Sequence, residues 1–285
     1  MREVAAVKKQ ARKGLSILLA GGCLFSLMML ARVWYDGKRG SNANISAQQI
    51  AMQPVEQPSE KLPQTQESLP AQAETFPLEP RWFPAQVQDD PQMTELAAIN
   101  LDALRQVNPH VVGWIRIPGT GIDFPVVQGE DNAFYLDHSW DKSPNQYGSI
   151  FLECMNDPKM EEFNTIIYGH RMNDGSMFAP LLDYAREDFL RAHPYIYLVT
   201  DAAVLRYQVF SSYTADVDSD AYGLGMQLEH TKREYIADAI ENSDVDTGIL
   251  PAFTDRILTL STCTRGSFES RRVVHAYLPM VFENP

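Results

Sequence analysis

The sequence predicts a mainly β (α+β) domain, closed as a barrel or stacked as a sandwich, held behind an apolar N-terminal span. Beyond Pro109, eight short runs rich in β-branched and aromatic residues follow one another between turn residues, and that texture predicts the domain. Helical periodicity returns among them only locally. Residues 14–31, GLSILLAGGCLFSLMMLA, carry no charge and approach the roughly 20 apolar residues that a bilayer-crossing helix needs.

Taken in chain order, residues 1–40 hold eight Lys and Arg against Glu3 and Asp36, a charge of +6. The basic cluster precedes the span, so the positive-inside rule places residues 1–13 in the cytoplasm, 14–31 across the membrane and everything after outside. Trp34 and Tyr35 then fall at the outer interface. A cleaved signal peptide is the alternative, but the run is long for one and no small-x-small cleavage site follows. Cys23 lies within the span, where a small apolar role is expected. Residues 32–92, rich in Pro, Gln, Ser, Ala and Glu, predict a disordered extracellular linker that cannot bury enough surface to fold.

The folded domain is expected over 93–285. Leu96, Ile99, Ala103, Leu104 and Val107 have helical spacing and Asn108-Pro109 ends it, giving one short N-terminal helix. The β runs are VVGWIRIP, IDFPVVQ, GSIFLE, NTIIYGH, YIYLVTD, VLRYQVFSSYT, RILTLSTC and RRVVHAYLPMV. Helical pattern appears near Met177–Tyr184 and Arg186–Ala192, and more clearly over Glu229–Asn242, between runs six and seven.

Charge and cysteine usage exclude several functions. The chain carries −13, so residues 41–285 carry −19, and a domain that acidic repels nucleic acid and anionic lipid. Cys23, Cys154 and Cys263 are scattered with no CxxC pair, which signals neither a disulfide framework nor a zinc site.

Cys263 ends the seventh run on the parity of Ile257, Thr259 and Ser261, opposite Leu258, Leu260 and Thr262. If the leucines face the core, Cys263 faces out at the strand's end. By the same alternation Arg271, Val273 and His275 share the outward face, while Arg272 takes the core parity. His170 ends the fourth run after Gly169, where a glycine permits close approach. Taken singly, a buried inert cysteine and a structural histidine are ordinary readings. Jointly, a thiol, an imidazole and a guanidinium fit acyl transfer: attack on a carbonyl, proton delivery to a leaving amine and stabilisation of an oxyanion. His275 is expected at the surface, with no catalytic role.

The motifs NTIIYGHRMNDGSMF, TLSTC and RRVVHA, the last starting eight residues after the cysteine, resemble class B sortases. So does NPHVVGWIRIPGTGIDFPVVQGEDNAFYLDHSWDKSPNQYGSIFLE, and the likeness runs over about residues 93–282. The resemblance implies an eight-stranded sortase β-barrel with an N-terminal helix and an extra helix between strands six and seven, and no metal or organic cofactor. It implies His170 as general acid/base, Cys263 as nucleophile and Arg271 as the oxyanion-stabilising cation. Ser261, Thr262 and Arg272 are expected to bind substrate, and Arg272 competes with Arg271 for the catalytic role. Asn108, Trp114, Asp123, Asn132, Tyr135 and His138 fit family positions, with turn, cap or packing roles expected. Cys154 could pair with Cys263 under oxidising conditions.

The partners so implied are secreted proteins with a C-terminal NPxTx-like sorting motif and an amine acceptor from the peptidoglycan cross-bridge or a pilin. The membrane is a partner through the N-terminal span, and nucleic acid is not. Two rival readings are an extracellular cysteine protease that passes the acyl group to water and a catalytically silent tethered scaffold.

Overall fold

Each of the eight expected runs forms a strand. They are β1 (Val111–Ile117), β2 (Ile122–Val127), β3 (Ile150–Leu152), β4 (Asn164–Tyr168), β5 (Tyr195–Val199), β6 (Ala203–Asp216), β7 (Ile257–Cys263) and β8 (Ser270–Glu283). The computed structural model describes residues 28–29, 31–32, 35, 37–53, 90–264 and 269–283. The strands close into a barrel in the order β1-β2-β3-β4-β7-β8-β6-β5, so the barrel and not the sandwich is realised. Pairing is antiparallel except for β2–β3 and β4–β7. Parallel neighbours need a crossover, and the chain between β4 and β7 supplies one that includes β5, β6 and two helices.

Those helices are α4 (Glu187–Ala192) and α5 (Glu229–Glu241), the latter within one residue of its expected span. The stretch near Met177–Tyr184 is a 3-10 helix over Ala179–Ala185. The single N-terminal helix expected over 93–107 is two helices, α2 (Pro91–Leu96) and α3 (Leu101–Val107). The break has a local cause: Asn100 Oδ1 accepts from the Ala103 N–H at 2.9 Å and starts a new helix, while Asp90 caps α2 ahead of Pro91.

A further helix, α1 (residues 37–51), lies where the linker was expected to begin. Gly40, Ala43, Ala47 and Ala51 repeat at helical spacing, and the three alanines are buried. These side chains are small enough to bring the helix backbone close to the barrel: the Trp140 indole N–H donates to the Ala43 carbonyl at 2.8 Å, and the Asn100 N–H to the Ala51 carbonyl at 2.8 Å. The absence of large apolar residues therefore did not mean the absence of a packed face. The span expected over 14–31 lies outside the described residues except for Met28, Met29 and Ala31, and residues 54–89 lie outside them too. Among the described residues no helix is long and apolar enough to cross a membrane.

Three apolar clusters cover the sheet on both faces. Ile115, Phe124, Ile167, Leu198, Leu258, Leu260 and Val274 fill the barrel. Outside it, α1, α2 and α3 pack through Ala47, Leu96 and Leu104 around Trp114 and Tyr197. On another side α5 packs Tyr235, Ile236 and Ala239 over Phe210, Ile257 and Val273. Each large side chain so buried contributes about 1.5–3 kcal/mol.

That third cluster corrects the expectation that His275 is a surface residue. The alternation of β8 is right, but α5 covers the outward face, and His275 is fully buried. Its Nδ1 lies 3.0 Å from Thr259 Oγ1 and 3.3 Å from Tyr235 OH, and its Nε2 lies 3.3 Å from Tyr213 OH. Burial drives its pKa from 6.5 down to about 3. Because the folded value is the lower one, the unfolded chain binds the proton first, and stability falls as pH drops from 6.5 toward about 3. Denaturant unfolding at two pH values about two units apart in that window should show His275→Gln losing about 2 kcal/mol less than wild type. Equal losses in the two proteins would mean that His275 is not the neutral buried group described.

Candidate active site

Three strands set the site. β7 and β8 pair so that Cys263 faces Arg271 across the ladder. β4 and β7 run parallel with Tyr168 opposite Ser261, and the Gly169 N–H continues the pairing by donating to the Ser261 carbonyl at 3.2 Å. One further step brings His170 level with Cys263. Neighbours across a sheet point to the same face, so His170, Cys263 and Arg271 form one row on the outer face of the barrel. All three are half-buried.

The His170 imidazole is set beside the Cys263 thiol by this register, and each is the largest influence on the other's ionisation toward the charged form. Its Nε2 lies 2.6 Å from the Leu136 carbonyl. A carbonyl only accepts, so Nε2 carries a proton, and Nδ1 remains as the ring nitrogen that takes the thiol proton. Leu136 ends the 3-10 turn Phe134–Leu136, and Gly148 packs against it. A Cβ on Gly148, whose φ is +58°, would lie 2.5 Å from the Tyr135 carbonyl oxygen, 2.8 Å from that of Leu136 and 3.0 Å from His170 Cδ2. Glycine is therefore what lets this loop reach the histidine.

The electrostatics of the two partners move in opposite directions. The hydrogen bond from His170 holds the Cys263 thiol below its ordinary range, burial opposes it, and Arg271 adds to the lowering. His170 is raised, first by its bond to Cys263 and also by the Leu136 carbonyl, against burial and the charge of Arg271. Both shifts favour a thiolate beside an imidazolium, and a guanidinium faces the sulfur.

The remaining expected site residues are placed differently. Ser261 shares the face of Cys263 but is buried, its Oγ 3.0 Å from Tyr222 OH. Thr262 and Arg272 take the opposite parity and are also buried. Arg272 is ion-paired with Asp244, beyond the C-terminus of α5, and does not face the sulfur. Gly169 serves the core: a Cβ there would lie 2.4 Å from Ile150 Cδ1 and 2.7 Å from Phe178 Cδ2.

Cys154 is not brought to Cys263. β3 runs antiparallel to β4, with Leu152 opposite Ile167, and β4 in turn sets Thr165 opposite Leu258. Cys154 thus lies near the level of Leu258, roughly 17 Å along the strand from Cys263 and far beyond the about 7 Å that a disulfide spans between Cα atoms. Its Sγ bonds Glu153 Oε1 at 3.3 Å, and burial and that carboxylate push its thiol up. Cys23 and Arg265 lie outside the described residues.

The family-position residues pin loops around the barrel. Trp114 Nε1 donates to Asp123 Oδ1 at 2.7 Å, Asn132 Nδ2 to Glu153 Oε2 at 2.6 Å and Asn108 Nδ2 to Tyr135 OH at 2.9 Å. His138 stacks on Phe134 and contacts Asp137. Sequence reasoning missed two groups beside the row. The Leu136 carbonyl is backbone and leaves no side-chain signal. Tyr222 comes from the 3-10 turn Asp220–Tyr222, is pushed up by burial, and stacks on Tyr168 at 6.3 Å between centroids. Among the described residues no group of His, Cys, Asp and Glu is arranged to hold a metal ion.

Comparison with known proteins identifies the family and the fold. Residues 115–279 match the sortase domain. Sortase B of Listeria monocytogenes is 36% identical over 174 residues, which is 60% of this chain and 70% of that protein. The solved Staphylococcus aureus sortase B–substrate complex superposes with a TM-score of 0.59 at 30% identity, covering 62% of this chain and 83% of that one. A sortase B complexed with triglycine superposes with a TM-score of 0.58 at 31% identity, covering 62% of this chain and 84% of that one.

Proposed function

This chain belongs to the sortase family, in its class B branch, and from that premise we propose that it joins secreted proteins to a cell-surface amine from the outer face of the membrane. Cys263 Sγ attacks the threonine carbonyl of an NPxTx-like sorting motif, and Arg271 faces the oxyanion that forms. The tetrahedral intermediate collapses as His170 gives its proton to the departing amide nitrogen, leaving a thioester on Cys263. An amine from a peptidoglycan cross-bridge or a pilin then adds to the thioester carbonyl, gives a proton back to His170 and expels the thiolate.

The observation that carries this reading is the single row of His170, Cys263 and Arg271 across three neighbouring strands. The relatives support the two substrates: one solved sortase B is a substrate complex, and another holds triglycine, a peptide with a free amine. Residues 14–31 supply the single membrane anchor in this reading, with residues 1–13 cytoplasmic and the barrel outside.

Mass spectrometry of the full chain with NPxTx and LPxTG peptides, with and without triglycine, tests the proposal. The expected result is cleavage of the NPxTx peptide and a ligated product that appears only with triglycine. Cleavage with no ligation would instead make the protein a protease, and no acyl-enzyme with either peptide would remove the proposal.

A further inference from the structure

Three pieces of chain meet at Tyr147, and two of them hold His170. The first is the loop over residues 136–148. Its Leu136 carbonyl, 2.6 Å from His170 Nε2, is bracketed by two backbone bonds: the Asn145 N–H donates to the Asp137 carbonyl at 2.8 Å and the Ser149 N–H to the Tyr135 carbonyl at 2.9 Å. Tyr147 stands midway between those two donors. The second is the loop over residues 171–178, in which the Phe178 N–H donates to the His170 carbonyl at 2.8 Å and Arg171 bridges Met177. Tyr147 OH donates to Asp174 Oδ2 in that loop at 3.0 Å, so one side chain ties the two together.

The third piece is α1. A Cβ on Gly37 would lie 2.7 Å from Tyr147 OH, and one on Gly40 would lie 3.3 Å from Tyr147 Cγ and 2.8 Å from Asn145 Nδ2. The helix backbone thus rests directly on the tyrosine. It is fastened to both loops, by the Trp140 indole bond to the Ala43 carbonyl and by Asn44 Nδ2, 3.9 Å from Met177 Sδ. Met177 is buried with a φ of +58°, a backbone conformation that a residue with a side chain keeps only where its surroundings impose it.

We propose that Tyr147 is a positioning residue for His170: seated under α1, it locks the loop that holds the imidazole at Nε2 to the loop that holds the same residue by its backbone. Neither loop is a regular element able to fix the ring alone, and a displacement of about 1 Å at a catalytic group can cost a large part of the rate. The inference rests on the reading of His170 and Cys263 as a working pair.

Its test has two readouts in the full chain: kcat and KM for ligation of an NPxTx peptide to triglycine, and the pH midpoint of iodoacetamide alkylation at Cys263, followed by mass spectrometry with Cys154 as internal reference. The second needs no peptide, so it reads the pair even where neither sorting peptide is a substrate. Tyr147→Ala and Gly40→Val are expected to lose about 10-fold in kcat with KM within about two-fold of wild type, and the Cys263 midpoint should rise by about half a unit. Tyr147→Phe and Asp174→Ala, which lose only the bond between the loops, should lose about two- to fourfold. Removing the Asp174 carboxylate by itself would lower a nearby thiol, so a rise in Asp174→Ala reports the histidine. Arg271, Arg171 and Tyr222, the other charged and titratable groups around the sulfur, are unchanged in all of these variants. Gln48→Ala loosens the other end of α1, where Gln48 Nε2 donates to the Asp123 carbonyl at 3.3 Å, and should keep wild-type values. Melting curves identify any variant that does not fold, and Asp174 is exposed, so Asp174→Ala remains readable. Wild-type kcat and midpoint in every folded variant of Tyr147, Gly40 and Asp174 would overturn the inference and leave His170 in its role. Equal losses in Gln48→Ala would make α1 a general support and overturn the assignment to Tyr147. A His170→Ala chain with the wild-type midpoint would overturn both the inference and the pair it rests on.

Discussion

Cys263→Ala is expected to abolish both cleavage and ligation of a sorting peptide, a loss on the order of 10⁶ in kcat, the scale for removing a nucleophile that works as a unit with its base. His170→Ala should cost about 10²–10⁴-fold, the usual worth of a positioned acid/base. The two variants differ in what they do to the thiol. In the wild type the bond from His170 is the largest influence lowering Cys263, and the bond from Cys263 is the largest influence raising His170. The lowered thiol and the raised imidazole both favour the charged pair, which is the reactive form. Activity should therefore fall on the acid side as the pair takes up a proton and on the alkaline side as the imidazolium is lost, with the two limbs belonging to the pair and not to either residue. Deleting His170 raises the thiol toward its ordinary value, so the alkylation midpoint of Cys263 should move up in His170→Ala, and added imidazole should restore part of the ligation rate. A His170→Ala enzyme with unchanged ligation and an unchanged alkylation midpoint would remove His170 from the mechanism.

The facing of Cys263 and Arg271 was legible because a strand's alternation survives folding, whereas His170 was legible only from its place after Gly169 and from the resemblance. Parity alone set Cys263 with Arg271 and against Arg272, and the pairing of β7 with β8 follows it. Legibility ended where a second layer covers the sheet. Alternation identifies a face, not its solvent: α5 covers the outward parity of Thr259 and His275 through Tyr235, and Tyr222 from the turn before it covers Ser261. Helix α1 escaped detection for a related reason: its contact face is built from glycine and alanine, which carry almost no hydrophobic signal yet allow backbone hydrogen bonding to Trp140 and Asn100. The Leu136 carbonyl, which sets the tautomer of His170, has no residue type to read, and its reach depends on Gly148, whose necessity is visible only once the loop is folded.

Arg271 and Arg272 are adjacent in sequence and opposite in consequence, so exchanging the question of activity for one of stability should separate them. Arg271 faces Cys263, and a donor removed from the developing oxyanion costs on the order of 10²–10³ in kcat. Arg271→Ala is expected to show that loss with KM changed much less, and Arg271→Lys to recover a fraction of it, since a single ammonium replaces the charge but not the fork. Arg272 is buried on the other face with its guanidinium on Asp244. Asp244 is 42% exposed and rehydrates when its partner goes, so Arg272→Ala is expected to cost about 1–3 kcal/mol of stability. At roughly 2–4 °C per kcal/mol for a domain of this size, melting should drop several degrees, while kcat/KM below that temperature stays within a few-fold of wild type. A large loss of kcat in Arg272→Ala with its melting temperature unchanged, beside a near-wild-type Arg271→Ala, would reverse the assignment. It would require β8 to slip by one residue against β7, and such a slip exchanges every inward side chain for an outward one, including Val274, which belongs to the barrel core, and His275, which belongs to the buried cluster under α5.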